Sequence, residues 1–442
     1  MAANLDPLGD WRRTHYSTQI LPGLDGIEVT VFGWVEEKRD LGNLSFFILR
    51  DREGSVQVTV SRGRAPPPLW KKAQEVGLQF TVGVRGVVKA MKEAPRGVEI
   101  VPTGLKILGA AAPPLPLDPT GRTPADIDVR LNARVLDLRR REAQAVFKVR
   151  HSLTNYIREY LVKEGFIEVH TPRLISAAAE GGASLFPVDY FGQRAFLAQS
   201  PELYKEMLTA SFEKVFEIGP FFRAEESHTR RHLNEFVSVD IEQAFVSADD
   251  VMRVQEDLIC AVLSRLGEER GEEATILGVE FKPPQKPLKR YRYSEILDEL
   301  KGSGVEIESG EDIPTPAYRT LATLHKGEYY FITDWPTKTR PFYIKPRDED
   351  PSLCQAFDFM YEWIEVTSGG TRIDSKEALT GRLKEHGLDP SSFNFFLKTF
   401  DYGMPPHAGW GMGLDRLMMA LAGESNIREV VLFPRDRFRL TP

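Results

Sequence analysis

Apolar and polar positions alternate along the first hundred residues. Ile27-Glu28-Val29-Thr30-Val31-Phe32 and Ser55-Val56-Gln57-Val58-Thr59-Val60 have the period of two of half-buried strands. Asp51-Arg52-Glu53-Gly54 between them is a turn signal. Val82 to Val88 and Gly97 to Val101 read as further strands. Five short strands between Ile27 and Leu108 predict a small barrel, and the OB-fold is the common one of that size. The run Ala112-Pro113-Pro114-Leu115-Pro116-Leu117-Asp118-Pro119 can extend neither a sheet nor a helix interior, so a stiff linker is expected there. Beyond Arg139 the period changes. Phe147, Val149, Leu153, Tyr156, Ile157 and Leu161 recur at helical spacing, and helical and strand-like segments then alternate to the C-terminus. Residues 265–345 carry no sharp motif and read as an insertion. The expected organisation is a barrel over 1–110, a hinge over 111–142 and a larger domain over 143–442.

Composition narrows the class. A chain of 442 residues exceeds one ordinary core, and 42% hydrophobic with 27% charged residues is the balance of a globular protein. No apolar run approaches the roughly 18 residues of a membrane span. Met1 to Arg13 holds no apolar signal core, so no export signal is expected. The two cysteines, Cys260 and Cys354, are too few for a zinc site of the CxxC kind or a disulfide framework, which fits a cytoplasmic protein. The net charge of −7 does not advertise nucleic acid. It does not forbid it either, because a local patch can bind phosphates on an acidic protein.

Three segments of the second half carry the sharpest pattern. They are Gly165-Phe166-Ile167-Glu168-Val169-His170-Thr171-Pro172; Phe222-Arg223-Ala224-Glu225 with Thr229 to Phe236; and Gly409-Trp410-Gly411-Met412-Gly413-Leu414-Asp415-Arg416-Leu417. In this order, behind an OB-like domain, they resemble the three motifs of class II aminoacyl-tRNA synthetases. Glu180-Gly181-Gly182, Ala198-Gln199-Ser200-Pro201-Glu202-Leu203-Tyr204-Lys205, Ser368-Gly369-Gly370-Thr371-Arg372 and Phe433-Pro434-Arg435-Asp436 resemble the aspartyl branch of the archaeal type. The resemblance covers nearly the whole chain, least over 265–345. It implies an α+β fold whose catalytic domain is an antiparallel sheet flanked by helices.

The resemblance also implies roles. The substrates would be ATP, L-aspartate and tRNA, with Mg2+ bridging the phosphates, and the enzyme a homodimer meeting near Pro172. Arg223 would serve the α-phosphate and Arg416 the γ-phosphate, and these two would be the catalytic cations. Glu225 would accept from the adenine amino group and Phe236 would stack on the base. Arg231 and His232 would lie in the loop that meets the pyrophosphate, Leu233 would also bind ATP, and Gly409, Gly411 and Gly413 would let adenosine approach the backbone. Arg223-x-Glu225 alone is equally the spacing of a surface ion pair, and Gly-x-Gly-x-Gly alone is a packing motif; the trio of segments favours the site. The three glycines are expected to open a helix. Glu365 and Ser368 sit where the family binds metal, with Asp358 a further candidate. A strand running from Phe357 to Glu365 would place Glu365 on an aromatic face, where an acid needs a partner.

For aspartate, Lys205 and Arg372 would donate to the side-chain carboxylate. Neither can accept from an amide, so asparagine would be poorly satisfied. Taken singly, Lys205 on a helix is most often a solvated lysine. Glu180, Glu202 and Asp240 are candidates for the α-ammonium, with Ser368 also in the amino-acid pocket. Position 202 departs from the family, which usually has Gln. Asp374 departs too, where many relatives have His. In the barrel, Phe46 would stack on the central anticodon base, with Arg39 and Gln57 in polar contact. One of Phe46 and Phe47 must face the barrel core in any case. The resemblance implies aspartate–tRNA ligation on tRNA(Asp). Ala94-Pro95-Arg96-Gly97, and Glu36 in place of a bulky aromatic, resemble enzymes that also load tRNA(Asn). The alternatives are an asparagine–tRNA ligase, against which Lys205 argues; an asparagine-making paralogue, which would lack the barrel; and a non-catalytic tRNA-binding paralogue, which would lose motif residues.

Overall fold

A computed structural model describes residues 4–176, 185–225 and 229–441. Glu180 lies outside them. The chain divides into two compact units, Met1–Asp137 and Leu138–Pro442. No described helix is long and apolar enough to cross a membrane.

The first unit holds β1 (Glu28–Leu41), β2 (Leu44–Arg50), β3 (Ser55–Ser61), α1 (Pro67–Glu75), β4 (Thr81–Ala90) and β5 (Val98–Gly109), then the short α2 (Ile127–Asn132) and α3 (Arg134–Asp137). The five strands close a barrel in the order β1-β2-β3-β5-β4, as the alternation predicts. β1 is long enough to serve both sides of the closure. It pairs with β4 through its first half and with β2 through its second, across a bulge between Val35 and Glu37. Inward positions are apolar: Val29, Val31, Phe47, Leu49, Val56, Val58 and Val60 are buried in one core.

The second unit begins with α4 (Arg141–Lys163), β6 (Ile167–Glu168), β7 (Leu174–Ile175), β8 (Pro187–Tyr190), β9 (Gln193–Leu197), α5 (Glu202–Phe212), β10 (Lys214–Phe222) and β11 (Glu235–Ala244). It continues through α6 (Ala248–Glu269), α7 (Gly271–Leu277), β12 (Lys289–Arg292), α8 (Tyr293–Gly302), α9 (Thr315–Leu324) and β13 (Tyr329–Thr333). Last come β14 (Ala356–Tyr361), β15 (Ile364–Thr371), α10 (Lys376–Glu385), α11 (Asn394–Phe400), β16 (His407–Gly413) and α12 (Leu414–Leu421). Among the described residues the main sheet has the order β12-β13-β14-β15-β16-β11-β10-β6, antiparallel from β13 to β10. The 265–345 segment supplies β12 and β13, which extend this sheet at one edge.

The sheet separates two apolar clusters. Residues of α4, α6 and α12 pack against Val239, Ile241, Phe357, Phe359, Trp410 and Met412. Residues of α8 to α11 pack with Tyr330, Ile332, Ala356 and Met360. The second face is only partly covered, and a cleft opens over β15, β16 and β11.

Two expectations change here. The glycines of Gly409 to Gly413 lie in strand β16, and the helix begins after them at Leu414. Residues 357 to 365 are two strands joined by a turn at Glu362-Trp363, not one. A bulge follows, pairing Met360 with Glu365 and Phe359 with Thr367. Strand parity does not carry across a turn. Phe357 and Phe359 therefore pack on the helical side, while Glu365 lines the cleft on the other.

Candidate active site

The floor of the cleft follows from a period of two in β11. Val239 and Ile241 point into the core, so Ser238, Asp240 and Glu242 point the other way. Opposite them on β16 stand Gly413, Gly411 and Gly409. A Cβ at Gly411 would come within 2.8 Å of Asp240 Oδ1, and one at Gly409 would collide with the Glu242 carboxylate and the Ile241 carbonyl. Gly409 and Gly411 thus make room for two acids of the neighbouring strand. Steric demand from adenosine is not needed to explain them. At Gly413 the nearest atoms to a Cβ would be those of Arg416, at 3.5 Å, an ordinary contact.

One end of the cleft is rich in guanidinium groups. Arg223 leaves β10 beside the floor, its backbone amide donating to the Asn234 carbonyl, with its guanidinium 5.3 Å from the Phe236 ring centre. Arg231 lies 5.2 Å from both the Tyr318 and Trp363 rings. Arg416, in the first turn of α12, approaches the Glu365 carboxylate at 3.4 Å and donates to its carbonyl. Asp415 anchors this turn: it accepts from Arg150 at 2.5 Å and from the Val237 amide at 2.9 Å. Glu225, His232, Leu233 and Gly413 line the same cleft. Burial, helped by Arg416 and Arg231, pushes the His232 pKa down to about 4, so the imidazole is neutral. Burial alone would lift Glu365, but Arg416, Arg340 and Arg223 outweigh it and hold the carboxyl below its usual range.

The Glu365 side chain is 34% exposed and Ser368 lies beside it in the cleft wall. An ionised carboxylate open to the cleft and a neighbouring hydroxyl are oxygen donors of the kind magnesium takes, with phosphates and water completing its shell. These residues fit that ion. Asp358 is placed differently. It is buried behind the wall and engaged by both terminal nitrogens of Arg340, at 2.7 and 3.2 Å. Burial, against the pull of Arg340, lifts its pKa to about 6. Its position makes it the anchor of Arg340, a cleft residue that no local sequence signal marks.

The other end of the cleft is closed. Glu202, Lys205 and Glu206 lie on the buried face of α5, where an amphipathic helix ordinarily has apolar residues. Lys205 is 1% exposed and approaches Glu202 at 2.9 Å, Asp240 at 3.2 Å and Glu242 at 3.4 Å. It is no solvated lysine. Arg372, 2% exposed, forks onto Glu242 at 2.9 and 3.1 Å and meets Glu202 at 2.6 Å. Burial would lower the Lys205 pKa, but Glu202, Asp240 and Glu242 outweigh it and raise it. Burial pushes Asp240 up to about 6 despite Lys205, and its Oδ2 has no hydrogen-bond partner among the described residues. Behind this cluster His407 pairs with Glu206 at 3.2 Å. Sequence reasoning missed Glu242, although acids at 240 and 242 alternating with Val239 and Ile241 were a readable signal. It also missed Arg340 and the Glu206–His407 pair.

The barrel carries a separate groove on its outer face. Phe47 fills the barrel core, so Phe46 points outward and is half-buried. Arg39 and Thr59 are its cross-strand partners. Arg39 is 74% exposed, with Glu37 at 3.5 Å. Gln57 donates to Glu99 at 3.1 Å and Thr59 at 3.3 Å, which leaves its amide oxygen as the group it can offer. Pro95 and Glu36 line the same groove. Glu36 is held by Arg50 at 2.7 Å, and Arg96 is fixed by the Ser17 and Thr18 carbonyls.

Comparison with known proteins agrees with this geometry. Residues 126–437 match the family "tRNA synthetases class II (D, K and N)", and residues 29–108 match the "OB-fold nucleic acid binding domain". The chain is 49% identical to the aspartate–tRNA(Asp/Asn) ligase of Methanopyrus kandleri, over 97% of this chain and 99% of that one. It is 47% identical to the ligase of the same name from Methanocaldococcus jannaschii, over 98% and 99%. Among solved structures, asparaginyl-tRNA synthetase from Pyrococcus horikoshii, complexed with asparaginyl-adenylate, superposes with a TM-score of 0.92 at 33% identity, covering 98% of this chain and 100% of that one. Aspartyl-tRNA synthetase from Entamoeba histolytica superposes at 0.86 with 30% identity, over 99% and 94%. The chain belongs to the class II tRNA synthetases of the D, K and N group, with an OB-fold domain ahead of the catalytic one.

Proposed function

We propose that the protein is an aspartate–tRNA ligase that activates L-aspartate with ATP and passes it to tRNA(Asp) and tRNA(Asn). The observation that carries the choice of amino acid is the meeting of Lys205 and Arg372 at the closed end of the cleft. A carboxylate can accept from both cations, whereas an amide NH2 facing them is left unsatisfied. The curated relatives named above share this specificity in their names.

In this reading the aspartate α-carboxylate attacks the α-phosphorus of ATP and pyrophosphate leaves toward Arg231, His232 and Arg416. Arg223 stands where negative charge grows on the α-phosphate, and its planar fork suits two phosphate oxygens. Phe236 and Glu225 hold the adenine by stacking and by accepting from its amino group. Glu365 and Ser368 would hold magnesium, which when bound neutralises phosphate charge. Asp240, with an unpartnered oxygen in the cleft wall, accepts from the α-ammonium, and Glu180 belongs to the same task. A ribose hydroxyl of the tRNA terminus then attacks the activated carbonyl and AMP departs. On the barrel, Phe46 stacks on an anticodon base while Arg39 and Gln57 make polar contacts. The Ala94 to Gly97 turn, fixed by Arg96, and the Arg50-tethered Glu36 frame the part of the groove that admits both tRNAs.

Two copies pair through the segment around Pro172, whose flanks Ile167 and Leu174 expose apolar surface. Sedimentation showing only monomer at micromolar concentration would end this part of the proposal. With few, unpaired cysteines the enzyme suits the cytoplasm. The deciding experiment is ATP–pyrophosphate exchange with aspartate and with asparagine, followed by charging of purified tRNA(Asp) and tRNA(Asn) side by side. Exchange with asparagine alone, or with neither, rejects the proposal; charging of tRNA(Asp) alone rejects the dual specificity.

A further inference from the structure

The amino-acid end of the cleft holds more acid than its cations can balance. Glu202, Asp240 and Glu242 surround Lys205 and Arg372, three carboxylates against two cations. An aspartate would bring its ammonium to Asp240, leaving Glu202, Glu242 and the substrate carboxylate to compete for Lys205 and Arg372. Contact positions on the two cations are already filled, so a resident acid gives way, and the three are not held equally. Glu242 receives an aligned two-pronged hydrogen bond from Arg372 and is fully buried under the floor. Asp240 accepts from Lys205 through one oxygen, and its second has no hydrogen-bond partner among the described residues. Glu202 stands in the cleft wall. Its Oε1, 2.6 Å from Arg372, makes no aligned hydrogen bond, so the contact is charge attraction without the geometry of a fork.

We propose that Glu202 is a built-in place-holder for the substrate: in the empty site its carboxylate occupies the two cations that the aspartate side chain must take, and aspartate binds by displacing it. The inference rests on the aspartate reading above. The device gives each buried cation a further carboxylate contact on its cleft side between turnovers. It also weakens aspartate binding through competition. The family's usual Gln would touch the same cations through a neutral carbonyl without competing as a charge.

The test is Glu202→Gln in the full-length chain. A place-holder predicts that the aspartate Kd, by calorimetry with aspartate alone, and the aspartate KM in exchange both fall roughly tenfold, about what one charge-assisted contact is worth. The ATP KM should not move, a split that general structural damage would not produce. If Glu202 instead binds the α-ammonium, the aspartate KM must rise; either a rise or no change overturns the proposal. Should the variant fail to fold, the wild-type crystal structure with aspartate alone decides. Glu202 still touching both Lys205 and Arg372 overturns the proposal, and Glu202 turned off them upholds it. A wild type that never supports aspartate-dependent exchange would sink the underlying reading; a working wild type with a weaker Glu202→Gln would sink only the place-holder.

Discussion

The two ends of the cleft use the same kinds of residue and balance them in opposite ways. At the nucleotide end Arg223, Arg231, Arg340 and Arg416 face Glu225, Glu365 and the buried Asp358, so among the described residues cations are in slight excess. At the amino-acid end Lys205 and Arg372 sit among three acids, so anions are in excess. The difference follows from burial. The nucleotide end is open, and water screens the surplus until a triphosphate brings its own charges. The amino-acid end is closed, and an unpaired cation there would cost several kcal/mol, so the protein supplies counter-charges itself. Cations at the open end line the space a nucleotide would enter; cations at the closed end also hold the fold.

Substituting one cation at each end breaks or sharpens that contrast. Arg223→Ala should lower adenylate formation by about 10^2–10^3, the scale of a lost transition-state donor. Folding stability and tRNA binding should stay close to normal. Pyrophosphate exchange, thermal denaturation and a tRNA binding assay read the three quantities, and equal loss in all of them would erase the distinction. Lys205→Leu should cut aspartate activation by orders of magnitude and asparagine activation much less. Because Glu202, Asp240 and Glu242 then lose a partner, it should also destabilise the fold by about 3–5 kcal/mol. A variant that keeps both full stability and its preference for aspartate would mean that Arg372 alone reads the carboxylate and alone balances the acids.

The same contrast explains what could be read from the chain. The barrel was legible because alternation is local, and Val29, Val31, Phe47 and Val58 all fall where a period of two puts them. The nucleotide end was legible through its motifs: Arg223, Glu225, Arg231, His232, Leu233, Phe236, Glu365, Gly413 and Arg416 all line one cleft. The closed end was half-legible. Taken singly, Lys205 reads as a solvated lysine, because nothing in its helix shows that Asp240 and Glu242 arrive from a strand; the resemblance alone put it in the site. Glu242 meets Lys205, 37 positions away, and Arg340 meets Asp358, 18 positions away on β14; neither pairing leaves a local trace, although the alternation of acids in β11 does. Glu365 was found through the resemblance, its supporting parity argument having been counted through a turn, and Gly409 was found for a nucleotide when a neighbouring carboxylate suffices.

The barrel supplies a control in which neither end of the cleft is touched. Phe46→Ala should weaken tRNA binding by about 1–3 kcal/mol, the usual range for one stacked base. Exchange, which needs no tRNA, should be unchanged. A fall in exchange with tRNA binding intact would show that Phe46 does not serve the anticodon.

The smallest expected effect concerns His232 and vanishes at neutral pH. In the nucleotide-free protein, burial with Arg416 and Arg231 holds its pKa at about 4, below the ordinary 6.5. Between those values the unfolded chain binds a proton at this position and the folded chain does not, so folding stability rises with pH across the window. Above about pH 7 both states are neutral and His232 costs nothing; the penalty grows as the pH falls through 6.5 toward 4. Other groups titrate in the same range, so the clean measurement is a difference. Denaturant unfolding of the wild type and of His232→Gln, compared at several pH values, removes what the two share. The stability gap should be flat above pH 7 and should move against the wild type as the solution is acidified. A gap that stays constant down to pH 4 would place His232 in contact with solvent. The excess of cations at the nucleotide end would then be too well screened to depress a neighbouring imidazole, which would weaken the contrast between the two ends at the end where screening matters most.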